Sequence, residues 1–276
     1  MSLITCWSAN ALPYKDGEAA YWCSPNPASD QGETELAEFL QPTQLNIGKK
    51  LISNYCGHGK FRGGLGIGMC QMVTEPGRSL IVAPFGSSAM GRVAIGLCGG
   101  YPGISDVNYF AHDTNMRELL KEGKSYPRDF TEVREWLKDG RLKAGNVEVF
   151  QGSGPNVPCK DGDLYAPASA AMGGWGDVLE RDYSMVEEDV HYGWLSADVV
   201  KNIYGAVVDE NGEVDIAKSD ELRQQMRHER KEKSLDVRDW WKEERERVLN
   251  KEFYEDVGNM YADCMKYEKF HTQFMK

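Results

Sequence analysis

The stretch Cys56-Gly57-His58-Gly59-Lys60-Phe61-Arg62-Gly63-Gly64-Leu65-Gly66-Ile67-Gly68 opens a segment, Gly57 to Gly103, that holds 13 of the chain's 29 glycines. Between these glycines run short β-favouring pieces, Leu80 to Ala83 and Val93 to Leu97, with Asn146 to Phe150 further on. Short apolar runs bounded by Gly and Pro read as strands joined by tight turns. All 11 prolines lie at or before Pro167, and after Gly212 the only glycine is Gly258. The pattern therefore predicts an α+β fold, a β-rich, glycine-rich body with a long C-terminal helical tail. Three regions follow: a body over 1–167, a short helical segment over 168–217, and a charged helical tail over 218–276.

Helix signals mark the rest. Glu33 to Leu40 follows Asp30 with acidic residues in its first turn. Asp129 to Lys138 carries Val133, Trp136 and Leu137 at helical spacing and stops at Asp139-Gly140. Tyr183 to Gly193 and Ser196 to Tyr204 read as two short helices, the second with Ser196 as N-cap and Gly205 beyond its end. In the tail, Trp240-Trp241 begins a strongly charged helix. Further on, Leu249, Phe253, Val257, Met260, Cys264 and Tyr267 step at helical spacing and put one apolar stripe on one face. Such a stripe must bury against the body or a partner chain.

Composition narrows the class. The 276 residues are 41% hydrophobic and 27% charged, enough for a real core. The formal net charge is -11, and the tail over 218–276 is neutral with 14 basic and 14 acidic residues, so the acidity resides in the first 217. An acidic surface argues against nucleic acid or an anionic membrane as the main partner. No apolar run approaches the 18 or so residues of a membrane span, and Met1 to Pro13 lacks the features of a signal peptide. Seven scattered cysteines, never as C-x-x-C, read as free thiols. The expectation is a cytoplasmic protein.

Gly63-Gly64-Leu65-Gly66-Ile67-Gly68 is not G-x-G-x-x-G, and no G-x-x-x-x-G-K-[ST] occurs, so no nucleotide loop is expected. Ahead of it, His58, Lys60 and Arg62 are candidate catalytic groups able to hold a carboxylate or bicarbonate, with Gly59, Gly63 and Gly64 letting the backbone approach the substrate. The competing reading is a β-turn whose glycines supply φ > 0 and whose basic residues face water. His112 and Asp113 are weak metal candidates, set against a plain surface-loop histidine. His191, among Glu187, Glu188 and Asp189, reads as a solvated acidic face.

Gly57 to Gly66 resembles the hydantoinase B/oxoprolinase family, whose members carry G-x-G-[KR]-[YFH]-R-G-G-x-G. Gly96-Leu97-Cys98-Gly99-Gly100-Tyr101-Pro102-Gly103 is similar to the family's G-L-x-G-G-x-P-G. Gly173-Gly174-Trp175-Gly176-Asp177-Val178-Leu179-Glu180-Arg181-Asp182 resembles its G-G-x-G-D-P-L-E-R-D, with Val178 in place of the usual proline. The Trp22 region and Val237 to Arg247, with Trp240-Trp241, resemble the α-type subunits of ATP-dependent ketone carboxylases within that family.

The resemblance implies a split-off subunit, covering the C-terminal portion of a longer family member and inactive alone. It implies an ATP-dependent carboxylase, or ligase, of the acetone and acetophenone carboxylase type, which joins a ketone and bicarbonate into a 3-oxo acid after ATP has activated both. ATP and a divalent metal, zinc or manganese, would reside on partner chains, hydantoinase A-like and hydantoinase B-like, or on the missing N-terminal half. Two alternatives stand beside it: a subunit of an ATP-dependent hydantoinase or 5-oxoprolinase-type cyclic amidase, and a non-catalytic assembly or gating subunit.

Overall fold

A computed structural model of the chain describes residues 6–19, 22–23, 39, 42–84, 94–255, 257–259 and 262. The chain divides into two compact units, Met1–Arg223 and Gln224–Lys276.

The first unit is built on an antiparallel sheet of five strands: β3 (Gln44–Leu51), β4 (Ile67–Val73), β6 (Val107–His112), β7 (Asn146–Gln151) and β9 (Leu164–Ala168), in the order β3-β4-β9-β6-β7. Two minor ribbons pair β1 (Cys6–Trp7) with β2 (Trp22–Cys23), and β5 (Leu80–Val82) with β8 (Val157–Cys159). β4 and β9 are buried along their whole length because both sheet faces are covered. On one face lies the amphipathic helix α2 (Phe130–Asp139), which follows the short α1 (Met116–Lys121). Phe130, Val133 and Trp136 of α2 pack on Cys70, Met72, Tyr109, Ala111, Leu164 and Ala166. On the other face the β5-β8 ribbon brings Val82, Val157 and Cys159 against Val73, Phe110 and Tyr165. Helices on one face of an antiparallel sheet make this an α+β architecture.

Local capping sets the helices. The Asp129 carboxylate accepts from the amides of Thr131 and Glu132, and Gly140 closes α2 at φ 79, a left-handed value that glycine adopts without a Cβ penalty. A 3-10 turn, Val178–Glu180, leads into α3 (Tyr183–His191) and α4 (Ala197–Tyr204). Ser196 caps α4 and Gly205 ends it at φ 60. These elements match the expected short helices.

Two expectations change, and a third falls outside the described residues. Ala94 to Leu97 forms no strand: Leu97 makes a single isolated bridge to Trp175, because this glycine-rich piece packs between loops instead of in a ladder. Val93 and, apart from Phe39, the segment 33–40 lie outside the described residues. In the second unit, α6 (Val237–Leu249), the next helix after α5 (Ile216–Glu232), stops at Asn250, and Lys251 is left-handed at φ 62. Leu249 and Phe253 therefore do not share one helix face, and Met260, Cys264 and Tyr267 lie outside the described residues.

Candidate functional site

The three glycine segments are far apart in sequence and meet at one place. Phe61 and Trp175 exchange both main-chain hydrogen bonds, at 2.9 and 2.8 Å, and the Lys60 amide donates to the Gly176 carbonyl. Leu97 N–H donates to Gly174 O, Gly176 N–H to Leu97 O, and Tyr101 N–H to His58 O. A fourth segment, 9–17, joins them: Gly64 N–H donates to Ala9 O, Gly17 N–H to Arg62 O, and Ala11 N–H to Gly173 O.

Glycine is needed here because main chain touches main chain. A Cβ at Gly63 would lie 1.9 Å from the Met172 carbonyl oxygen, at Gly64 2.2 Å from Glu18 O, at Gly100 2.3 Å from Gly174 O, and at Gly174 2.2 Å from His58 O. At Gly59 it would lie 2.7 Å from Phe61 O and from Trp175. The turn reading, in which these glycines supply positive φ, does not hold, since Gly57, Gly59, Gly63, Gly64 and Gly66 all lie outside that region. The amides of residues 57, 60, 61, 63, 64 and 66 already donate to main-chain carbonyls, and that of Arg62 to Asp16. The segment is a junction of backbones; it does not present a row of free N–H groups as a phosphate cradle would.

Beneath this junction lies a buried charge cluster. Arg62 Nε donates to Asp189 Oδ1 at 2.8 Å, its Nη1 reaches the Gly63 carbonyl at 3.3 Å, and its guanidinium lies over the Trp194 ring. Arg181 donates to both Asp16 oxygens at 2.8 and 2.7 Å, to Asp189 Oδ2 at 2.7 Å and to the Lys60 carbonyl at 3.0 Å. Arg181 and Asp189 side chains are each 1% exposed. Two guanidinium and two carboxylate groups make the cluster neutral, which is how charge is tolerated at such depth. Arg223, from α5, donates to the carbonyls of Arg181 and Tyr204 and closes the far side. Asp189 thus departs from the expected solvated face. It shares the inner face of α3 with Val186, three residues earlier, while His191 is exposed.

His58 sits beside the cluster, with Nδ1 2.9 Å from the Tyr204 hydroxyl. Burial, aided by the positive charges of Arg181 and Arg62, lowers its pKa from 6.5 to about 4. Burial also holds the Tyr204 hydroxyl protonated, so Tyr204 donates and the neutral imidazole accepts. Burial pushes the neighbouring Cys56 thiol up to about 12. Between pH 6.5 and about 4 the unfolded chain binds a proton that the folded chain refuses. His58's contribution to stability is thus complete above about 6.5 and lost as pH falls towards 4, with a slope of up to about 1.4 kcal/mol per pH unit. His58→Gln should flatten the stability–pH curve in that window, measured by urea unfolding at stepped pH; parallel curves would refute the neutral buried imidazole.

Lys60 differs from its neighbours. Its side chain is 34% exposed, and its Nζ has only a 3.8 Å approach to Glu180, itself largely in solvent. His112, expected on a surface loop, ends β6 and is mostly buried. Nδ1 lies 2.9 Å from Asp163 Oδ2 and Nε2 3.1 Å from Glu148 Oε1. Asp113 meets the same carboxylate through its backbone: its amide donates to Asp163 Oδ1. The structure thus brings His58 and Arg62 to one cluster, leaves Lys60 at its rim, and places His112 elsewhere. Asp16, Arg181, Asp189 and Tyr204 were not singled out from sequence. A charged residue inside an apolar helical spacing, as with Asp189 three after Val186, is the signal that could have found one of them.

A five-stranded antiparallel sheet capped by helices, with three glycine segments locked over paired arginines and aspartates, defines the class. Residues 2–178 match the family model described as hydantoinase B/oxoprolinase, and the chain belongs to that family. It is 31% identical over 262 residues to the acetone carboxylase alpha subunit of Xanthobacter autotrophicus, covering 90% of this chain and 32% of the relative. It is 30% identical over 227 residues to the acetophenone carboxylase delta subunit of Aromatoleum aromaticum, covering 77% and 31%. Among solved structures it is similar to nucleotide-free acetone carboxylase, at 28% identity and a TM-score of 0.75 over 89% of this chain and 32% of that one. An ATP-dependent caprolactamase from Pseudomonas jessenii, at 20% identity and a TM-score of 0.55 over 80% and 33%, shares the fold. The chain spans about a third of the length of the relatives it matches. Among the described residues no helix is long and apolar enough to cross a membrane.

Proposed function

We propose that the chain works in the cytoplasm as a subunit of an ATP-dependent ketone carboxylase, of the acetone or acetophenone type, that joins a ketone and bicarbonate into a 3-oxo acid. The observation that carries this reading is the likeness to acetone carboxylase over 89% of the chain. ATP and the divalent metal, zinc or manganese, are assigned to partner chains, hydantoinase A-like and hydantoinase B-like. The backbone junction at 57–66 supports that division, since seven of its ten amides donate within the chain. The cyclic-amidase reading draws on the family match and on the fold shared with the caprolactamase.

Within the complex, Lys60 is assigned the role of holding a carbonate or phosphate oxygen, because its ammonium is the basic group of the 58–62 stretch that stays half-exposed. His58, neutral and oriented by Tyr204, is the candidate proton carrier beside it. Arg62 is assigned to positioning, its guanidinium being committed to Asp189. That commitment also favours a second reading, an assembly subunit that contributes no reacting group.

Native mass spectrometry of the complex recovered with this chain, combined with ATP hydrolysis assays, tests the proposal. Large partner chains and hydrolysis driven by ketone plus bicarbonate are expected; hydrolysis driven by 5-oxoproline or a hydantoin would transfer the chain to the cyclic amidases. Recovery of the chain alone would remove the carboxylase reading. In the assembled complex Lys60→Ala should reduce carboxylation about tenfold or more, the loss of one charged hydrogen bond, with the subunit composition unchanged. Full turnover in Lys60→Ala and in His58→Gln would establish the assembly reading.

A further inference from the structure

The turn between β8 and β9 brings Cys159 and Asp163, four residues apart, up to His112 at the end of β6. Among the described residues this is a group in which one ring nitrogen, one thiol sulfur and one carboxylate oxygen all lie within 4.8 Å of one another. Ligand atoms about 2.0–2.3 Å from a shared ion in a tetrahedron are themselves roughly 3.3–3.7 Å apart, so little movement is needed to close on a cation.

The surroundings are organised for it. Asp163 is held by its neighbours: the Asp113 amide donates to Oδ1 at 2.7 Å and the Lys160 amide to Oδ2 at 2.8 Å. His112 Nδ1 is 2.9 Å from the same Oδ2. Its other nitrogen, Nε2, is buried and has no aligned hydrogen bond, although Glu148 Oε1 is only 3.1 Å away. With a cation at Nδ1, the ring proton sits on Nε2 and is donated to Glu148, the carboxylate–histidine–metal arrangement that fixes a ligating ring.

We propose that His112 Nδ1, Cys159 Sγ and an Asp163 carboxylate oxygen form a zinc site, with Glu148 orienting the histidine and water completing four-coordination. Binding replaces the sulfur–hydrogen bond with a sulfur–zinc bond and releases that proton to solvent. Thiolate and carboxylate together neutralise the ion's two charges. Thiolate and imidazole donors select zinc over magnesium or manganese. Glu148, 40% exposed, leaves an approach for the ion. The site ties β6, β7 and the β8–β9 turn together, and it stands independently of the carboxylase reading.

The test is titration of the reduced, tag-free, chelator-stripped full chain with Co(II), followed by displacement with Zn(II). One equivalent should give a thiolate-to-cobalt charge-transfer band that Zn(II) abolishes. Cys159→Ser should lose the band. Glu148→Gln, a change at a half-exposed residue, should keep the band but weaken Zn(II) affinity about 10–100-fold. Absence of the band in the wild-type chain, its persistence in Cys159→Ser, or unaltered affinity in Glu148→Gln would each overturn the proposal. Should Cys159→Ser fail to fold, the wild-type titration and Glu148→Gln decide it.

Discussion

Arg181→Ala is expected to destabilise the first unit by about 3–5 kcal/mol, the cost of leaving a buried charge uncompensated. The guanidinium donates to Asp16, Asp189 and the Lys60 carbonyl, so its removal strands an Asp189 carboxylate that is 1% exposed and leaves it only Arg62. Arg181→Lys is expected to recover little, because one ammonium cannot span carboxylates on two sides as a planar fork does. Urea unfolding followed by far-UV circular dichroism measures the loss. Arg181→Met provides the contrast: a variant as stable as wild type would mean that packing, not charge pairing, holds the junction. A loss shared by all three variants supports the buried-cluster account.

Gly63→Ala is the second large effect. A methyl group there meets the Met172 carbonyl oxygen at 1.9 Å and its carbon at 2.5 Å, and neither is the end of a flexible side chain. The segments 57–66 and 172–176 must part, which breaks the paired Phe61–Trp175 hydrogen bonds and shifts Arg62 from Asp189. The expected cost is at least about 3 kcal/mol, at the upper end for overpacking. Gly77→Ala is the comparison. Gly77 has nothing within 4 Å, so only its positive φ resists a side chain, at roughly 1–2 kcal/mol. Equal urea midpoints for the two variants would refute the close approach of the backbones.

Features fixed by near neighbours were legible in the sequence. Asp129 with Gly140, and Ser196 with Gly205, bound their helices because capping needs only groups within four residues. β4 and β9 are not legible in the sequence. Both are buried on two faces, so they lack alternation, and β9 contains Pro167 where its pairing with β4 is interrupted. The glycine segments were recognised, but not what they face, since a glycine that admits a ligand and one that admits another backbone look alike in sequence. Asp189 was hidden among acidic neighbours, and Cys159 and Asp163 reach His112 across about 50 residues, a separation no spacing rule connects.

The charge cluster also dictates an order of events when the polypeptide is made. Asp16 finds Arg181 across 165 residues, and Arg62 finds Asp189 across 127. While the ribosome is still emitting the sheet strands, the early carboxylate and the early guanidinium have no partners and stay hydrated. The sheet and α2 can assemble from strands already released, but the charge cluster waits until α3 has emerged. Until then the junction of glycine segments stays open, and this interval is when a holdase or a co-synthesised partner would have the most to protect.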